Sequence, residues 1–159
     1  MRLHILAVGR LKRAPEQTLA EDYLNRAAKL GRQAGVTSVS FVETAESRAA
    51  TASLRRKEEA SLLLARIPAK SYVISLEQAG KELTTGGFAN ELGRLIGRVA
   101  DLAFLIGGPD GHGEEIKRRA DLQLSLGKLT WPHRLARLML SEQIYRAVTI
   151  LVNHPYHRA

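Results

Sequence analysis

Four glycines fall within seven residues at Gly107-Gly108-Pro109-Asp110-Gly111-His112-Gly113. They follow an apolar run, Leu102 to Ile106, and precede a charged stretch. Glycines in such a loop let a backbone approach a ligand closely, and the carboxyl ends of strands are where open α/β sheets bind ligands. The plain alternative is a tight turn, but four glycines exceed what one turn needs. The loop is neither G-x-G-x-x-G nor a Walker loop, so a dinucleotide or nucleoside-triphosphate phosphate cradle is not supported. A second segment, Ser125-Leu126-Gly127-Lys128-Leu129-Thr130-Trp131-Pro132-His133, also joins a strand to a helix. Its apolar side chains and its glycine suit a flat ring held between backbone groups. An ordinary strand-to-helix connection explains it equally well.

The chain closes on Asn153-His154-Pro155-Tyr156-His157-Arg158, a dense polar tail after an apolar helix. His133, His154 and His157 are candidate general bases, and the sequence does not rank them. With no cysteine and no HExxH pattern, no metal site is expected. Tyr156 is read as a base-stacking ring, and Arg134, Arg137 and Arg158 as phosphate contacts, joined by Arg10, Lys12 and Arg13. Glu142 and Arg146, four apart, are expected to form an ion pair on one helix face. His112 receives no role.

These residues need a scaffold, and the rest of the chain reads as one. Arg2–Val8 alternates as a first strand; residues 36–42, 71–76, 101–106 and 122–129 read as four more. The run at 101–106 is apolar on both faces, as in a parallel sheet covered by helices. Helical periods occupy residues 16–33, 52–67, 84–99, 114–120 and 133–152, with Thr84 as a cap and Pro132 opening the last. Residues 77–83 read as a turn-rich connection. Strands alternating with helices predict an α/β fold with a mostly parallel sheet, in one domain spanning 1–159. The last helix is apolar on more than one side, which predicts a homodimer packed through it.

A formal charge of +8 on 159 residues points to a polyanion or an anionic substrate. No apolar stretch approaches the roughly 18 residues that would span a membrane, and the apolar start is too short for a signal-peptide core. A soluble, cytoplasmic protein is expected.

Together LIGGPDGHG, SLGKLTWPHRLARLMLSEQIYRA and NHPYHR resemble the RlmH type of ribosomal RNA methyltransferase, in the SPOUT superfamily. The match extends over the whole chain and is densest in its last third. The resemblance implies a C-terminal trefoil knot and S-adenosylmethionine as methyl donor. It also implies a homodimer acting on N3 of a pseudouridine in helix 69 of 23S ribosomal RNA, on the assembled 70S ribosome. It places the cofactor pocket on Leu76, Gly107, Leu126, Gly127, Lys128, Leu129, Thr130 and Trp131. A knotted enzyme for another RNA, such as transfer RNA, and a non-catalytic ribosome- or RNA-binding module are the rival readings.

Overall fold

The computed structural model describes residues 1–11 and 14–157. Five strands, β1 (Arg2–Val8), β2 (Ser38–Thr44), β3 (Tyr72–Glu82), β4 (Asp101–Ile106) and β5 (Leu122–Ser125), form one sheet in the order β2-β1-β4-β3-β5. Every pairing is parallel. The helices are α1 (Pro15–Gly31), α2 (Ala52–Leu64), α3 (Thr85–Leu95), α4 (Glu114–Arg119) and α5 (His133–Leu151), with a 3-10 turn at Arg32–Ala34 after α1.

Strand alternation divides the core into two layers. Leu3, Ile5, Ala7, Leu102, Phe104 and Ile106 face one side and are covered by α1, α3 and α5. Leu6, Val8, Ala103 and Leu105 face the other, where Ala60 and Leu63 of α2 and Ile116 of α4 cover them. All six residues of β4 are buried, as its unbroken apolar run requires. Each large side chain so buried contributes about 1.5–3 kcal/mol.

Local signals set the helix starts. Pro15 occupies the first turn of α1, where its missing N–H leaves no bond unmade. Thr84 Oγ1 accepts from Gly87 N at 3.0 Å and caps α3, as its sequence position suggests. Glu142 and Arg146 pair at 2.7 Å on α5.

Three expectations change. The third strand does not stop at Leu76: Lys81 and Glu82 rejoin the ladder with β5, and the residues between loop out. The fifth strand ends at Ser125, four residues earlier than its alternation suggests, because Gly127 adopts φ +108°. The apolar sides of α5 are met within the chain, by α1 and α3, so they do not by themselves require a partner subunit.

Candidate active site

Three connections leave neighbouring strand ends, β4, β3 and β5, and meet around a cleft of about 650 Å³. The first is the glycine loop. Gly111 donates to the Gly108 carbonyl at 3.0 Å and takes φ +74°, closing a tight turn. A Cβ at Gly107 would lie 3.0 Å from the backbone carbon of Gly111, so any larger residue would push the Gly111 backbone by a few tenths of an ångström. Asp110, at the tip, receives two bonds from Arg55 of α2, at 2.6 and 3.2 Å, and Arg55 also holds the Ala49 carbonyl at 3.0 Å. The doubly bonded guanidinium fixes the loop more firmly than a lysine would.

Glu59 supports the same loop from below. It is 3% exposed, its Oε1 accepts from Ser47 N at 2.9 Å, and its Oε2 would lie 3.1 Å from a Cβ at Gly108. Burial pushes its carboxyl above the ordinary value, with the Ser47 bond opposing. A folded pKa above the unfolded one contributes stability at acid pH that is lost as pH rises through the folded value. Glu59→Gln keeps the acceptor and removes the ionisation. Its melting temperature should therefore gain on the wild type as pH rises above the ordinary carboxylate value of 4.5, and match it in acid. Parallel melting curves for the two proteins across that rise would contradict the assignment.

The second and third connections are stitched together. Ser125 Oγ donates to the Gln78 carbonyl at 3.0 Å and accepts from Gly127 N at 3.2 Å. Gln78 Nε2 donates to Thr130 Oγ1 at 3.0 Å. The segment beyond Leu76 and the loop before α5 are thus joined into one wall.

Of the eight residues placed in the pocket from sequence, seven line this cleft: Leu76, Gly107, Leu126, Gly127, Leu129, Thr130 and Trp131. Lys128 is exposed and is not among the lining residues. Leu129 is 70% exposed and Trp131 37%, so the tryptophan stands at the rim and is no core anchor.

His133, the first residue of α5, also lines the cleft, and neither His154 nor His157 does. Burial pushes its imidazole below the ordinary value, and the Arg137 guanidinium one turn later adds to this. His112 is buried, donates Nε2–H to the Leu105 carbonyl at 3.2 Å, and is pushed down by burial to about 4. It is a neutral strut.

Arg137 is not the phosphate contact its sequence position suggests. Its side chain is 1% exposed, bonds Glu43 at 2.8 Å, and donates to the carbonyls of Val8 and Gly9 at the end of β1. Tyr156 also differs from a free stacking platform. Its ring lies 4.7 Å from Tyr145 with the Arg146 guanidinium 4.9 Å over it, and its hydroxyl donates to Glu142 at 3.2 Å. It anchors the tail to α5, and burial pushes its phenol up to about 12. Arg134 and Arg10 are exposed; Lys12, Arg13 and Arg158 lie outside the described residues. Among the described residues no group of three or more His, Asp or Glu side chains is placed to hold a metal ion. Among the described residues no helix is long and apolar enough to cross a membrane.

Sequence reasoning missed the buried Glu59 and the part-buried Arg55 and Glu43. Their one advance signal was Asp110, an acid inside a glycine turn of a basic chain.

The family model described as "Predicted SPOUT methyltransferase" matches residues 1–157. A Nitrobacter winogradskyi protein named "Ribosomal RNA large subunit methyltransferase H" is 48% identical over 159 residues, 99% of each chain. A Rhizobium meliloti protein of the same name is 50% identical over 160 residues, 100% of each chain. Among solved structures, a putative methyltransferase from Legionella pneumophila with SAM bound aligns with 96% of this chain and 66% of its own, at TM-score 0.43 and 15% identity.

Proposed function

From the premise that the chain belongs to the SPOUT methyltransferase family, in the group of the ribosomal RNA large subunit methyltransferase H proteins, we propose that it methylates ribosomal RNA with S-adenosylmethionine. The target is N3 of a pseudouridine in helix 69 of 23S ribosomal RNA, on the assembled 70S ribosome, and the enzyme works in the cytoplasm as a homodimer. The observation that carries this is the meeting of three strand ends at one cleft with His133 at its edge. The dimer rests on family likeness, since α5 finds its apolar partners within the chain.

The cleft suits the methyl donor. Leu76 and Leu126 offer apolar walls, while Gly107 and Gly127 bring bare backbone to the space between them. When bound, S-adenosylmethionine supplies a methyl group already activated by its sulfonium. The chain itself must orient N3 toward that methyl and remove the N3 proton. Neutral His133 is the acceptor for that proton. Burial and the Arg137 cation keep its imidazole deprotonated at neutral pH, and the proton it gains is passed readily to water. Arg134, on the same exposed turn of α5, and Arg10 hold backbone phosphates; Lys12, Arg13 and Arg158 extend that set.

The test uses ribosomes from cells lacking the gene. Mass spectrometry should find 23S ribosomal RNA short by one methyl group, restored by the purified protein and S-adenosylmethionine. His133→Asn should lower kcat by roughly 10²- to 10⁴-fold with donor affinity within about twofold of wild type. The wild-type rate should fall only below the ordinary histidine value of 6.5, because the folded pKa is lowered. Full activity in His133→Asn moves the base to His154 or His157. Methyl label in transfer RNA, or no uptake of the donor at all, supports the rival readings instead.

A further inference from the structure

The cleft does not end at the loops that define it. Between Glu77 and Gln78 on one wall and Asp110 and Gly111 on the other it opens into a second groove of about 630 Å³. The lining there is polar and carries both signs of charge: Arg56, Lys57 and Lys117 against Glu77, Glu114 and Glu115. Glu77 borders both spaces.

The backbone accounts for its place. Leu76 and Lys81 both pair with Leu124, so Glu77 begins the excursion from the β3 ladder. Gly80 lets that excursion close, since a Cβ there would lie 2.8 Å from the Gln123 and Leu124 backbone. Glu77 Oε1 is shut away from solvent and has no hydrogen-bond partner among the described residues. The neighbouring acids differ: Asp110 is held by Arg55 at 2.6 Å, and Glu114 receives Lys117 at 3.1 Å. A buried acceptor without a donor is costly to keep, and in a binding cleft it marks a place for a donor from outside. Burial pushes the Glu77 carboxyl up, with Lys117 opposing.

Two candidates could bring that donor. An RNA strand presents a phosphate at every residue and would meet Glu77, Glu114 and Glu115 as like charges. A zwitterion meets acids for its cation and Arg56 and Lys57 for its anion. S-adenosylmethionine has one flat ring end and one zwitterionic end, matching an apolar cleft that runs into a mixed-charge groove. We propose that Glu77 receives the α-ammonium of the methyl donor's amino-acid end, which lies in the second groove. This rests on the donor assigned under the proposed function.

The test is calorimetric titration of the full chain with two ligands. S-adenosylhomocysteine carries the amino-acid end; 5′-methylthioadenosine has the same ring and sulfur without it. Glu77→Gln should weaken S-adenosylhomocysteine by about tenfold or more and change methylthioadenosine by less than about twofold. Glu77→Asp, which keeps the charge, should lose less, and it carries the same comparison should Glu77→Gln fail to fold. Unchanged affinities, or equal losses for both ligands, overturn the assignment of Glu77 alone. A wild-type chain that binds neither ligand overturns the methyl-donor reading, and this proposal with it.

Discussion

An Arg137→Met chain is expected to melt roughly 6–20 °C below the wild type, since about 3–5 kcal/mol is lost when one partner of a buried ion pair is removed. Three acceptors depend on this one guanidinium: the Glu43 carboxylate and the carbonyls of Val8 and Gly9. Methionine fills much of the volume, so the loss is chiefly that of unpaired polar groups and not of packing. Glu43 is 20% exposed and also accepts from Leu11 N at 3.0 Å, so water and that bond limit its penalty. Adding Glu43→Gln to Arg137→Met should recover part of the loss. Chemical denaturation of the two single variants and the double variant measures the coupling. A loss under about 1 kcal/mol for Arg137→Met would return the residue to the surface role its position in the sequence suggests.

Gly107→Val is expected to weaken donor binding by roughly 10- to 100-fold while lowering the melting temperature by only a few degrees. The backbone at Gly107 is not in the left-handed region, so the effect is one of space alone. A Cβ would stand 3.0 Å from the Gly111 carbon and 3.3 Å from its Cα. The loop cannot yield outward without straining the Gly108–Gly111 turn and the Asp110–Arg55 pair. Gly127→Ala makes a useful contrast. Nothing lies within 4 Å of its Cβ, yet φ is +108°, so its cost is conformational. Titration with S-adenosylhomocysteine reads both variants. Wild-type affinity in Gly107→Val would show that the glycine loop does not touch the ligand.

Much of this architecture was legible because it rests on local pattern. β1 and β4 have the bounds their alternation and apolar run suggest, and α5 starts and ends within a residue of its periodic pattern. The convergence of three loops followed from where glycines and strand ends fall, together with a family resemblance. What escaped is what distant parts of the chain decide. Glu77 to Glu82 looks like a turn because Gly80 and the polar residues weaken it, and only β5, some forty residues later, recruits Lys81 and Glu82 into the sheet. Arg137 looks like one more polar exception on a helix, but its carbonyl partners are 128 and 129 residues away. The second apolar side of α5 was legible as a face and not as an address, since periodicity does not say whether α1 or another subunit will cover it.

The order of the strands also governs when this protein can fold as it is made. β1 is made before the other four strands, yet one of its two neighbours is β4, with Arg2 opposite Asp101 and bonded to it through both carboxylate oxygens at 2.7 Å. Until β4 emerges, β3 has been made but has no neighbour to pair with, and only β1 and β2 can join, a two-stranded ribbon too small to stand by itself. An apolar edge is therefore left open through most of translation, and closing it requires a long loop to be drawn in. Synthesis thus leaves this chain dependent on shelter from aggregation until its last third has been translated.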